Sequence, residues 1–128
     1  MSAERARVVS EADVQAFADV SGDHNPVHLD EGYARTTPFG TRIAHGMLSA
    51  SHISALIASE LPGPGAIYLS QSLSFRRPVK LGDTVVTRAE VTALDPEKAR
   101  ATLRTTCLVD GKTVVDGEAV IMVPRQGA

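Results

Sequence analysis

Residues 46–63, GMLSASHISALIASELPG, leave this chain fewer options than any other stretch. Met47, Leu48, Ile53, Leu56, Ile57 and Leu61 are spread around much of a helical circumference, which predicts a helix buried on several sides. Leu61-Pro62-Gly63 supplies its stop. Something must enclose that helix, and the sequence that follows is strand-like from about residue 66 to 124. AIYLSQSLSFRRPV places Ile67, Leu69, Ser70, Leu73 and Phe75 in near period-two order, ending at Pro78. DTVVTRAEVTAL and RATLRTTCLV read as two more strands, and DGKTVVDGEAVIMV supplies the last. Its opening Asp110-Gly111 is the signature of a type I′ hairpin turn, which needs positive φ at both residues. One apolar helix and about four long antiparallel strands predict an α+β layout, a sheet wrapped around the helix. Such a sheet leaves an edge and an apolar flank uncovered, so dimerisation is expected.

Residues 1 to about 62 read as helices and loops. In SEADVQAFADVSG, Ser10 is placed as an N-cap with Asp13 at the capping-box position, Val14, Phe17 and Ala18 form the apolar face, and Gly22 is the stop. A short helical turn is predicted from Asp30 through Arg35, and Pro38 then forces irregular chain. The 128 residues, 43% hydrophobic and 22% charged, suit one globular domain spanning 1–128. A formal net charge of −2 and the absence of tryptophan argue against nucleic-acid or membrane partners. MSAERARVVSEADV has no apolar core of the kind a signal peptide requires. The apolar stretch around Ala44 to Ile57 is interrupted by Ser49, Ser51, His52 and Ser54, and is too short to span a bilayer. The lone cysteine, Cys107, is expected to be a small core residue. With no internal disulfide available, the expected location is the reducing cytoplasm.

The chemistry concentrates in SGDHNPVHLD, residues 21–30. Pro26 stiffens this stretch and biases Asn25 toward extended geometry. Across such a bend Asp23 and His28 can converge on one water as a general acid/base pair, with Asn25 holding a partner without titrating. Taken alone this is weak evidence, since Asp-Asn-Pro turns are common and usually only structural. The second cluster is IAHGMLSAS. Gly46 stands where the long helix begins, so its N–H lacks an intrahelical acceptor and sits at the positive end of the dipole. That suits an oxyanion donor. A simple break before the helix is the plainer reading of the same glycine.

SGDHNPVHLD, then AHGML about 20 residues on, then YLSQSLSFRRPVKLGD resemble the MaoC-like (R)-specific enoyl-CoA hydratases. The single-domain members that feed polyhydroxyalkanoate synthesis are the most similar. The resemblance runs from about Val14 to Pro124 with the motif G-D-x-N-P-x-H intact. It implies a hot-dog fold, a homodimer with active sites near the subunit interface, and reversible syn-addition of water to a trans-2-enoyl-CoA, giving the (R)-3-hydroxyacyl-CoA. Asp23 and His28 match the catalytic pair, and Gly46 matches the glycine whose amide binds the thioester oxygen. Asn25 would orient the pair. No metal or organic cofactor is implied, because the coenzyme A thioester is itself the substrate. Ser54 and Ile57 fall where family members line the acyl pocket, and short straight acyl chains are the default expectation. His52 stands where a similar hydratase places something apolar. It is either a satisfied core histidine or a residue that narrows the acyl tunnel.

Arg76, Arg77 and Lys80 of FRRPVK suit the phosphates of coenzyme A, though surface cations are often merely solvated. His24 is expected at the surface and His45 as a loop brace that does not titrate in catalysis. A zinc site from Asp23, His28, His45 and His52 lacks any zinc-like spacing, so no metal site is expected. The competing functions are a hot-dog thioesterase, an acyl-carrier-protein dehydratase and a non-catalytic acyl-CoA-binding module. The intact D-x-N-P-x-H turn argues against the thioesterase.

Overall fold

Alternation in the second half of the chain builds an antiparallel sheet, and the sheet closes on one helix. The computed structural model describes residues 1–123, so position 124, to which the strand-like half was extended, lies outside the described residues. In chain order the elements are β1 (Ser2–Val8), α1 (Glu11–Ser21), α2 (Pro26–Leu29), α3 (Glu31–Ala34) and α4 (Gly46–Ser59). Then come β2 (Ile67–Gln71), β3 (Ser74–Phe75), β4 (Thr84–Asp95), β5 (Arg100–Val109) and β6 (Lys112–Met122). The sheet order is β1-β4-β5-β6-β2, with β3 also paired to β6. Every pairing between named strands is antiparallel. This is the hot-dog arrangement that the resemblance implies, with α4 in the place of the filling.

Period-two burial explains the closure. Val85, Thr87 and Ala89 on β4, Ala101, Leu103, Thr105 and Cys107 on β5, and Val115, Ala119 and Ile121 on β6 all turn inward. Ile53, Leu56 and Ile57 of α4 meet them, each at most 1% exposed, and each contributes roughly 1.5–3 kcal/mol by leaving water. Asp110 and Gly111 adopt φ of 51° and 75°, both in the left-handed region that a type I′ turn demands. The caps of α1 form as expected: Ser10 accepts from the Asp13 N–H, Asp13 returns the bond to the Ser10 backbone, and Gly22 closes the helix at φ 78°.

Three expectations need correction. The first half of the chain is not only helix and loop, because Ser2–Val8 pairs with β4 as an edge strand. The predicted strand from Ala66 to Pro78 is two strands, since the chain bulges between Tyr68 and Ser70 and breaks at Ser72–Leu73 before β3. At that break the Ser72 carbonyl lies against Gly117 of β6 so closely that any side chain at 117 would collide with it. Finally, α4, expected to be buried on several sides, is buried on one broad face that carries Leu48, Ser49, Ile53, Leu56 and Ile57. Met47 is 54% exposed, and Ser51, Ser54, Ala55 and Ala58 form an outward face.

Candidate active site

Local hydrogen bonding, not long helix, shapes the turn after α1. Ser21 Oγ donates to the Phe17 carbonyl and accepts the Asp23 N–H at 3.1 Å. The Asn25 N–H donates to Asp23 Oδ1 at 3.2 Å, and Asn25 Oδ1 accepts the Val27 N–H at 3.2 Å. Asn25 thereby caps α2, with Pro26 at its first position, and α2 carries His28. Asn25 is thus bonded to one member of the predicted pair and starts the helix that holds the other. Arg42, which the sequence reading passed over, anchors the far side. Its Nε donates to the His28 carbonyl at 2.7 Å, while its guanidinium also reaches Glu11 at 2.7 Å.

His28 is buried and its Nδ1 lies 2.7 Å from the Ile43 carbonyl. A carbonyl only accepts, so Nδ1 carries the proton and Nε2 presents a bare lone pair while the ring is neutral. Burial pushes the His28 imidazole below its usual value, and the neighbouring His45 adds to this. The bond to Ile43 and the Asp23 charge oppose it. His45 is 2% exposed and stacks on His28 with centroids 3.9 Å apart and planes at 28°. By the same reasoning its Nε2–H donates to the Asp23 backbone carbonyl at 2.9 Å, as expected of a loop brace. Its Nδ1 is buried with no partner.

One donor atom from each of Asp23, His28 and His45 falls within 4.8 Å of the others. Two such atoms can share a single water, because two hydrogen bonds of ordinary length span up to about 5.6 Å. The trio is also the one set among the described residues that offers a divalent ion three ligands, two imidazoles and a carboxylate. His52, named with them in the zinc reading, stands apart.

Gly46 opens α4 directly after His45, its first N–H without an intrahelical acceptor. Beside it lies a cleft of ≈ 510 Å³ lined by Phe39, Met47, Phe75, Val79 and Val115, with Arg76 and Arg77 also on its wall. A Cβ on residue 46 would sit 2.7 Å from Phe75 Cε1, so glycine is what lets this ring lie across the helix start. Phe39 was not singled out from the sequence, and Phe75 was read only as part of a strand's alternation, not as a site residue. A lone loop aromatic such as Phe39 carries no periodic signal, and alternation alone does not say that Phe75 crosses the start of α4.

Not every predicted residue joins this cleft. Arg76 and Arg77 line it, Arg76 also pairing with Asp116 at 3.4 Å, whereas Lys80 does not and its backbone N–H is held by Asp83 at 2.8 Å. Ser54 is on the outward face of α4, and Ile57 is sealed in the core. His52 is not a satisfied core histidine. It faces a separate hollow of ≈ 90 Å³ with Arg5, Arg7, Ala55 and Thr87, and its buried Nδ1 has no partner. His24 is at the surface beside Asp19 at 3.2 Å, and Cys107 is in the core, as expected.

Residues 1–118 match the family model described as MaoC like domain. The chain is 57% identical over 126 residues to the "(R)-specific enoyl-CoA hydratase" of Rhodospirillum rubrum, covering 98% of this chain and 88% of that one. It is 52% identical over 118 residues to the "3-hydroxybutyryl-CoA dehydratase" of Methylorubrum extorquens, covering 92% and 75% respectively. Among solved structures, the (R)-hydratase from Aeromonas caviae involved in PHA biosynthesis superposes with a TM-score of 0.95 at 48% identity, covering 97% of this chain and 95% of that one.

Proposed function

We infer the activity of this chain from one premise: it belongs to the MaoC-like domain family. We propose that it catalyses the reversible (R)-specific hydration of a trans-2-enoyl-CoA to the (R)-3-hydroxyacyl-CoA. The observation that carries this reading is the convergence of an Asp23 carboxylate oxygen and a His28 ring nitrogen within 4.8 Å, against His45, which directly precedes the first amide of α4.

Each requirement of the reaction has a group suited to it. Water is a weak nucleophile and must lose a proton as its oxygen bonds to the β-carbon. Asp23 is the base, and His28 Nε2 accepts the second hydrogen bond of the same water, which fixes the direction of attack. The π electrons move through the α-carbon onto the thioester oxygen, and the Gly46 N–H at the positive end of α4 stabilises the resulting enolate. The α-carbon then takes a proton from the Asp23–His28 pair. Because the pair gives and receives on one face of the substrate, hydrogen and hydroxyl add syn. No step calls for a metal or an organic cofactor.

The mostly apolar cleft suits the acyl thioester, and Arg76 and Arg77 supply charge for the phosphates of coenzyme A. Ser54 and Ile57 remain proposed determinants of acyl length, acting along α4 from outside the cleft that the single chain forms. A homodimer is proposed as the working unit. Ile67, Tyr68 and Leu69 on the edge strand β2 and Met47 at the cleft mouth are exposed, an apolar rim that a second copy would cover. Light scattering at micromolar concentration is expected to give twice the chain mass; a monomer would count against it. No described helix is long and apolar enough to cross a membrane. A reducing cytoplasm is the proposed location.

The test is incubation with crotonyl-CoA and a series of longer enoyl-CoAs. Loss of the enoyl absorbance, with (R)-3-hydroxyacyl-CoA as product, supports the reading. Release of free thiol would identify a thioesterase instead, binding without turnover an acyl-CoA module, and turnover confined to carrier-bound substrates an acyl-carrier-protein dehydratase.

A further inference from the structure

His45 has no part in the chemistry described above, yet it is among the most buried polar side chains described, at 2% exposure. Three contacts converge on its ring. Nε2–H holds the carbonyl of Asp23, 22 positions earlier in the chain. One face stacks on His28 at 3.9 Å. Phe17 of α1 packs against it with centroids 4.9 Å apart and planes at 56°. Its backbone, meanwhile, is the N-cap of α4, immediately before Gly46. The usual N-cap service, a side chain accepting a first-turn N–H, is not performed here, so the ring is not spent on starting the helix.

We propose that His45 is a positioning residue that pins the proton-handling turn to the oxyanion end of α4, fixing Asp23 and His28 at a set distance from the Gly46 amide. This rests on the hydratase reading for its catalytic consequence. The geometric claim stands on the contacts alone. The two halves of the site come from separate segments, residues 21–28 and residues 45–46, and the syn reaction needs both in register with one bound thioester. Between the segments the structure has other ties: the Ile43 carbonyl to His28 Nδ1, the Val27 carbonyl to the Ile43 N–H at 3.3 Å, and Arg42 Nε to the His28 carbonyl. All of these secure His28 or its neighbour. The His45 ring is the described side chain that reaches Asp23 itself from the second segment, through that residue's backbone carbonyl oxygen. Without that bond Asp23 is held only by contacts inside its own turn, to Ser21 and Asn25. A displacement of about 1 Å in a reacting group is enough to cost about 10²-fold in rate.

Two variants separate the hydrogen bond from the ring. His45→Phe keeps an aromatic face for His28 and Phe17 but has no donor for Asp23. His45→Gln loses the face but places a side-chain N–H at similar reach. With crotonyl-CoA, His45→Phe is expected to lower kcat by about 10- to 100-fold with KM within about threefold, because Asp23 loosens while an aromatic ring still occupies position 45 of the cleft wall and Phe75, Arg76 and Arg77 are unchanged. His45→Gln is expected to recover most of that loss. Amide hydrogen exchange gives a readout independent of activity: exchange at Asp23, His24 and Asn25 should quicken in His45→Phe and not in His45→Gln, with the β5 and β6 amides unchanged in both.

Wild-type kcat in His45→Phe with unchanged exchange would overturn the proposal, as would a folded His45→Gln as impaired as His45→Phe in both readouts. A merely structural role predicts that both variants lose thermal stability and exchange protection across the whole sheet, which would also overturn it. If wild-type protein fails to hydrate any enoyl thioester, the hydratase reading falls, and the exchange measurements still decide whether His45 pins Asp23.

Discussion

Replacing Gly46 by proline removes one hydrogen-bond donor while sparing the helix it begins. The first helical position tolerates proline, whose fixed φ matches the helix and whose missing N–H has no intrahelical acceptor there. The preceding residue is already suitable, since His45 sits at φ −61° and ψ 136°, in the extended region that proline imposes on its predecessor. The side effect is steric. Any Cβ at 46 meets Phe75 Cε1 at 2.7 Å and Cδ1 at 2.8 Å, so the ring must swing aside. Phe75 is 54% exposed and has room to do so, at a cost on the order of 1 kcal/mol. Gly46→Ala carries the same clash and keeps the N–H, which makes it the control, and it is expected to retain kcat within about tenfold. Losing one oxyanion donor costs about 3–4 kcal/mol, and at 1.36 kcal/mol per decade that is about 10²- to 10³-fold. Charge reaches the thioester oxygen chiefly in the transition state, so the loss should fall on kcat and leave acyl-CoA binding nearly intact. Steady-state hydration of crotonyl-CoA by the two variants, with circular dichroism as the check on folding, measures the difference. A folded Gly46→Pro protein with kcat within tenfold of Gly46→Ala would refute the assignment of this amide.

Asp23→Asn and His28→Ala are each expected to lower turnover by about 10²-fold or more with the fold retained, read by the same assay and circular dichroism. Near-normal rates in either would remove that residue from the proton-handling pair. Activity should fall on acidification through a pKa below the ordinary histidine value, because His28 must be unprotonated at Nε2 and burial holds its pKa down; a rate profile with its acid limb above pH 6.5 would contradict this. Stability follows the same sign. The unfolded chain takes up protons at about pH 6.5 while folded His28 and His52 resist until lower pH, so the unfolded state binds more protons and thermal stability drops as pH falls below about 6.5. His52→Leu should flatten that slope, and an unchanged slope would exclude His52 from it. Prolonged EDTA treatment is expected to leave hydration unchanged, whereas added zinc should inhibit reversibly by taking the lone pairs of Asp23, His28 and His45; activation by zinc would overturn the metal-free mechanism.

The elements that were legible in the sequence are those whose signal is local. The capping box at Ser10 and Asp13, the Asp110-Gly111 turn and the inward alternation of β5 each follow from residues close together in the chain. The strand β1 was missed because its inward face carries Arg5 and Arg7 beside Ala3, so no apolar period shows. Their stems lie over α4 while their charged ends find Glu60 and Asp13 at 3.1 and 2.7 Å. Those partners are distant or on another element, and no spacing announces them. The motif around Asp23 and His28 marked half of the site because the bonds that shape it, from Ser21 to Asp23, Asp23 to Asn25 and Asn25 to Val27, are made within it. The other half depends on which side of α4 meets which loop. Periodicity placed Ser54, Ile57 and His52 on a helix, but only packing determines that Met47 opens to the cleft while Ile57 is sealed in the core and His52 faces β1.

Gly117 ties the shape of one chain to the geometry with which chains could assemble. Since the Ser72 carbonyl presses against its α-carbon, the missing side chain sets how tightly the last span of edge strand lies on β6. Mutational drift at position 117 would therefore not act as an ordinary core change. Even alanine would lever β2 away from the sheet and tilt the rim formed by Ile67, Tyr68 and Leu69. If the proposed dimer uses that rim, its geometry would depend on this one half-buried glycine, which lies outside the rim itself.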